Sequence, residues 1–297
     1  MRFLKGYFEI ARIDNWFGWI FSFVFGSIFL GLPSPERFIA VFFAFLSATA
    51  SIFILNQYFD RKEDRQNIVK SSLPVASGKI APQTALILSF FLITLCLLLV
   101  SVFATSLATF FIFYLALWTA YSLPPFRLKN VPIIDFIASG IGAGLLPFLI
   151  GVGTFSQFNV SISLVLASAT PLMLAHSSGH ILQALGDYEA DSKNGVRTFV
   201  VKHGKKKGVI IMGLLSLTTG LLPFIYANLG LTVPFIYFPL FFLPLPFCIP
   251  IVKRYIITIK DPSTENVVSL QKTTRRYGII IMVVVGAYVL AGKILGL

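Results

Sequence analysis

Nine runs of about 20 apolar residues, each long enough to cross a bilayer as a helix, constrain this chain more than any other feature. They fall near 14–33, 37–59, 83–104, 106–122, 132–153, 160–184, 208–228, 231–252 and 277–296. The basic residues test that count. The N-terminal segment carries three, the connection 60–82 five, 123–131 two, 186–207 six and 253–276 six, so that 22 of 24 Lys and Arg alternate onto one side. Only Arg37 and Lys293 fall on the other. By the positive-inside rule this predicts an all-helical membrane protein with a cytosolic N-terminus and an outer C-terminus. One transmembrane domain over 1–297 is expected, in a cytoplasmic membrane, with cytosolic cap loops at 60–82, 123–131, 186–207 and 253–276.

Composition agrees. Of 297 residues 56% are hydrophobic and 12% charged, against about 25% charged in a soluble domain. The net charge of +12 belongs to residues that flank spans, which removes nucleic acid as the reason for it. Cys96 and Cys248 lie in apolar runs and read as free packing residues, not as a disulfide. The opening MRFLKGYFEIARID has no cleavable signal pattern and reads as an interfacial segment.

The outer connections are short and almost uncharged, so function is expected at the cytosolic face. Two segments there carry acids in register. Asn56, Asp60 and Asp64 end the second span; Gln183, Asp187 and Asp191 end the sixth. At 100° per residue, positions four apart share a helical face, so each segment presents an amide and two carboxylates as one stripe. Carboxylates four apart repel, and charge near hydrocarbon is costly. Two such stripes call for a cation, and Mg²⁺, which binds through one or two carboxylates plus substrate phosphates, fits. Between them lies Tyr121-Ser-Leu-Pro-Pro-Phe-Arg127-Leu-Lys129, where the prolines end a span and two cations follow. Either these cations only flank a span, or Arg127 and Lys129 meet a diphosphate with Tyr121 donating to it.

Together, Asn-x-x-x-Asp-x-x-x-Asp, Tyr-Ser-x-Pro-Pro-x-Arg-x-Lys and Asp187-x-x-x-Asp191-x-x-x-Gly195-x-x-Thr198 resemble the UbiA superfamily of intramembrane prenyltransferases, in order, spacing and span number. Gln57 departs from the pattern, since many members have Asp there. The resemblance implies nine helices around a central cavity and Mg²⁺ held by Asn56, Asp60, Asp64, Asp187 and Asp191. It implies Arg61, Tyr121, Arg127 and Lys129 as diphosphate contacts. The implied reaction ionises an isoprenyl diphosphate, and a lipophilic acceptor (aromatic, polyene or lipid) attacks the allylic carbocation. No obligate protein partner is expected. Asp187-Tyr-Glu-Ala-Asp191 after His180 looks more like the chlorophyll-synthase and carotenoid-elongase branches than the hydroxybenzoate branch.

Other polar residues in or near spans stay open. His176 and His180, poor partners for Mg²⁺, read as cavity lining or helix-to-helix hydrogen bonds. Asp135 reads as a partner of Arg127 or Lys129, or as an acceptor-orienting group. Asp14 and Arg12 pair with each other or position the acceptor. Gly140, Gly142 and Gly144 are spaced for close helix packing. A cation-coupled transporter is the rival reading, though its charges should lie nearer mid-membrane. An alcohol phosphotransferase would need a different Asp cluster.

Overall fold

A computed structural model of the chain describes residues 9–67, 70–155, 161–228 and 242–295. Those residues form helices and connecting turns. In chain order they are α1 (Phe17–Phe29), α2 (Pro35–Gln66), α3 (Pro82–Phe103), α4 (Ala108–Ser122), α5 (Ile134–Val152), α6 (Ile162–Lys193), α7 (Phe199–His203), α8 (Lys205–Asn228), α9 (Leu245–Lys260) and α10 (Thr264–Ile294). Six helices among the described residues are long and apolar enough to cross a membrane: α2, α3, α4 with the turn before it, α5, α6 and α10. Of the remaining expected spans, the first is the shorter apolar helix α1 and 208–228 falls within α8. Much of 231–252 lies outside the described residues.

The faces of these helices explain the composition. On α3, Ile87, Phe90, Phe91, Leu98 and Val102 are all exposed, an outward apolar face that water would not tolerate at this density and lipid does. The inward faces pack aromatics: Phe23, Phe45, Phe111, Tyr114 and Phe148 are fully buried. Buried hydroxyls are satisfied across helices, as Thr49 Oγ1 with the Tyr114 hydroxyl (2.9 Å) and Ser89 Oγ with the Ser51 carbonyl (3.0 Å).

The glycines of α5 work as the spacing predicts. A Cβ on Gly144 would stand 2.7 Å from the Leu172 backbone, and one on Gly140 2.7 Å from the Met173 carbonyl oxygen, so both let α6 approach. Gly142 faces the other way, against the Trp118 ring, whose Nε1 donates to the Gly142 carbonyl (3.2 Å). Positions two apart on a helix are about 200° apart, which is the change of face seen here, and a π-helical turn spans Ile141–Leu145.

At the end of the bundle where α2 begins, Arg37 ties four elements together. Its guanidinium donates to the carbonyls of Phe103 (3.4 Å) and Gly153 (3.2 Å) and to Ser106 Oγ (3.1 Å). These groups end α3, follow α5 and precede α4.

Three of the four expected cap loops are corrected. Residues 60–66 continue α2, 186–193 continue α6, and most of 253–276 belongs to α9 and α10. At 1.5 Å per residue the 32 residues of α2 reach about 48 Å, beyond a hydrocarbon layer of roughly 30 Å. The charged ends stay helical outside the apolar layer, and so the acidic stripes are real helical stripes. The described residues 67 and 70–81 of the first loop are non-helical, and 123–131 is a loop throughout as expected, with a short turn at Leu128–Asn130.

Candidate active site

The charged end of α2 forms one wall. Asp60 is buried and its carboxylate is held from three sides. Asn56 Nδ2 donates to Oδ2 (2.6 Å), while Arg127 Nη2 (3.3 Å) and Lys129 Nζ donate to Oδ1. Arg127 also grips both oxygens of Glu63 (2.5 and 2.6 Å), and Lys129 lies 3.5 Å from the same carboxylate. Asn56 reaches Ser122 Oγ as well (3.1 Å), which joins α2 to the end of α4. The loop 123–131 therefore folds back so that its two cations cover the α2 stripe. Arg127 takes a left-handed backbone (φ 37°) to do this, a conformation that disfavours a side-chain-bearing residue. Its Nε is buried without an acceptor among the described residues.

The charged end of α6 forms the facing wall. Asp187 pairs with Lys70 Nζ at 3.0 Å, from the loop that follows α2. Burial alone would lower the Lys70 pKa; Asp187, with Asp191 and Asp64, raises it above the ordinary lysine value. Lys70 thus sits in the field of both acidic stripes. Arg12 faces them too: burial lowers its pKa, and Asp64, Asp187 and Asp60 oppose that shift. Below this charged mouth, His180 Nε2 meets the Tyr121 hydroxyl (3.1 Å), and His176 Nε2 meets Ser22 Oγ (3.2 Å). Trp19 and Trp118 stack with ring centroids 4.5 Å apart, and Trp118 meets Tyr121 edge to face at 5.1 Å.

Several expectations are refined. Arg61 folds back on its own helix, donating to the Tyr58 carbonyl (2.5 Å) with its guanidinium 4.7 Å from the Tyr58 ring centre, and does not meet the acids in this arrangement. Asp135 pairs with neither Arg127 nor Lys129; it is buried, and its Oδ2 accepts from the Phe199 N–H (2.8 Å) at the start of α7. Gly195 has φ 70°, a left-handed turn that glycine adopts without strain, and Thr198 caps α7 by accepting from the Val201 N–H (3.2 Å). Gln183, the amide matched to Asn56, is exposed. The two histidines make helix-to-helix hydrogen bonds. Arg12 stands 5.9 Å from the Phe53 ring centre, and the Asp14 backbone carbonyl accepts from Arg275 (3.3 Å).

Gln57 explains its own departure from the family pattern. It is 1% exposed, donates to the Ile10 carbonyl (2.7 Å) and accepts from the Val75 N–H (3.5 Å). The side chain fastens the interfacial segment and the loop after α2 to the helix.

Sequence reasoning missed Glu63, Ser122 and Lys70. Glu63 is three residues after Asp60, a neighbouring spacing that could have been read. Lys70 was counted only as a flanking charge, because no periodicity links a loop after α2 to α6.

The mouth brings five carboxylates (Asp60, Glu63, Asp64, Asp187 and Asp191) against four cations (Arg12, Lys70, Arg127 and Lys129). Among the described residues no three His, Cys, Asp or Glu gather into a metal cage. An all-oxygen donor set split over two walls suits a hard cation that takes one or two protein carboxylates and completes its shell with phosphate and water. A family model described as the UbiA prenyltransferase family matches residues 19–264. The chain belongs to the UbiA prenyltransferase family. It is a multi-pass membrane prenyltransferase, and the transporter reading finds no support.

Two relatives and one solved structure place it among UbiA proteins. A digeranylgeranylglyceryl phosphate synthase of Methanothrix thermoacetophila is 31% identical over 205 residues, 68% of this chain and 71% of that one. A 2-acylphloroglucinol 4-prenyltransferase of Humulus lupulus is 33% identical over 172 residues, 55% of this chain and 41% of that one. A UbiA homologue of Archaeoglobus fulgidus, solved with GPP and Mg²⁺ bound, shares the fold with a TM-score of 0.74 at 22% identity, covering 96% and 98% of the two chains. These relatives lend no support to the chlorophyll-synthase and carotenoid-elongase likeness.

Proposed function

We propose that this UbiA protein transfers a prenyl group from an allylic diphosphate to a lipophilic acceptor at the mouth between α2 and α6, with Mg²⁺ as cofactor. The observation that carries this reading is the folding of Arg127 and Lys129 onto the α2 acids opposite the Lys70–Asp187 pair. A site with both signs of charge so arranged fits a metal–diphosphate pair and neither ion alone. The buried, unpartnered Arg127 Nε adds a donor suited to an anion.

Asp60, Asp64, Asp187 and Asp191 would hold Mg²⁺, with Asn56 orienting Asp60. Mg²⁺ held there would supply positive charge to the leaving diphosphate. Arg127, Lys129, Lys70 and Arg12 stabilise the same developing charge from the protein side. Trp19, Trp118 and Tyr121 pack together below the mouth, where aromatic π-electrons would stabilise an allylic cation and apolar walls would exclude water.

Nine spans with the N-terminus and the mouth in the cytosol accord with the basic loops. For the acceptor, the name of the Methanothrix relative describes a glyceryl phosphate bearing two geranylgeranyl chains. Removing one leaves an ether lipid with a free hydroxyl, which we take as the acceptor class.

The first test is binding of geranylgeranyl diphosphate to detergent-purified protein with Mg²⁺ and then with EDTA. Binding that needs Mg²⁺ and is lost in Asp60→Ala and Asp187→Ala is the expected result. Full binding and turnover in either variant would remove both acidic stripes from the metal site.

A further inference from the structure

We propose that Tyr121 and His180 together take up the proton that the acceptor loses. This rests on the function proposed above, with the hydroxyl of a glycerophosphate ether as the nucleophile.

The reaction demands such a group. The bond from the allylic carbon to the diphosphate oxygen breaks, and its electron pair leaves on the diphosphate. The acceptor oxygen forms the new carbon–oxygen bond and must then shed its proton in a region closed to water. Two of the nearby carboxylates are already engaged: Asp60 accepts from Asn56, Arg127 and Lys129, and Asp187 from Lys70. Asp64 and Asp191 belong to the proposed metal site, and Asp135 accepts from the Phe199 N–H through one oxygen while the other is buried without a partner among the described residues.

His180 stands seven residues before Asp187 on α6, two turns deeper on the same face, about 10 Å along the axis. That is below a diphosphate held at Asp187, on the side where the allylic carbon would lie. Its Nε2 is 3.1 Å from the Tyr121 hydroxyl, and its other ring nitrogen has no hydrogen-bond partner among the described residues. Tyr121 in turn adjoins Ser122, which accepts from Asn56. The phenol itself is held by the imidazole and, edge to face, by the Trp118 ring.

The acceptor proton passes to the Tyr121 oxygen as the phenolic proton passes to His180 Nε2. The imidazolium so formed later passes its proton to the departing diphosphate above it. His176 has the same chemistry one turn deeper but is tied to Ser22, which itself donates to the Gly18 carbonyl (3.1 Å). It serves as the control.

The test separates ionisation from proton removal. Geranylgeranyl diphosphate labelled with ¹⁸O at the bridging position reports reversible ionisation by scrambling of the label, read by phosphorus NMR with Mg²⁺. Geranylgeranylglyceryl phosphate reports transfer. In His180→Gln scrambling should persist while transfer falls by about 100-fold or more, the scale of a lost general base. Tyr121→Phe should likewise lose transfer by about 100-fold or more, and His176→Gln should match the parent in both assays. Parental transfer in His180→Gln, or equal loss of scrambling and transfer, would overturn the proposal. So would a parent protein that scrambles the donor yet leaves the hydroxyl probe unprenylated. A parent without Mg²⁺-dependent scrambling would instead overturn the donor chemistry itself, and this proposal with it.

Discussion

At the scale of single residues, the chain separates groups that hold the site from groups that face it. Gln57 shows the difference. Where the family resemblance leads one to expect an acid, this chain has an amide that satisfies two backbone groups, Ile10 O and Val75 N. Gln57→Leu should therefore destabilise the protein by about 1–3 kcal/mol, the cost of leaving buried polar groups unpaired. The measurement is the midpoint of thermal inactivation in detergent, with Mg²⁺-dependent donor binding retained in the folded fraction. Lost binding at unchanged stability would instead make residue 57 a ligand position. The amide had been legible only as a departure from a pattern, because its partners lie 47 and 18 positions away in the chain. The stripe of Asn56, Asp60 and Asp64 was legible because its spacing is local to one helix. Lys70 and Asp135 were not, since each acts on an element that folding brings to it.

At the scale of elements, the contact between α5 and α6 decides how the facing wall is held. Gly144 meets the Leu172 backbone with no room for a methyl group, so Gly144→Ala must part the two helices. Overpacking of this kind costs about 1–3 kcal/mol. Gly220 on α8 has nothing within 4 Å of its would-be Cβ, and Gly220→Ala should be neutral or slightly stabilising. Thermal unfolding of the two variants side by side checks this; equal effects would show that helix propensity and not contact governs them. The Gly pattern announced close packing in the sequence. Ordinary rotation of about 100° per residue already turns Gly142 away from Gly140 and Gly144, but it does not say that the neighbour on that side is the Trp118 ring.

At the scale of the whole molecule, the distribution of basic residues makes a statement about sidedness that labelling can check. In a chain with Cys96 and Cys248 replaced by Ala, Ser34→Cys, at the start of α2, should react with an impermeant maleimide from outside intact cells. Ser77→Cys, in the loop after α2, should react only after the membrane is opened. Both positions are exposed, so lack of reaction reports sidedness and not burial. The reverse pattern would invert the proposed topology. The cap loops were misjudged at this scale because hydropathy ends where lipid ends, whereas α2 and α6 continue as helices beyond it.

The Arg37 knot has a mechanical meaning. It binds the start of α2 to the ends of α3 and α5 and the turn before α4, far from the acids. Helices pinned at one extremity and charged at the other behave like the arms of forceps: a small rotation at the pin becomes a wide displacement at the tips. A bulky, charged substrate that used the proposed mouth would meet the arms at their free tips, while the pinned end holds them in register.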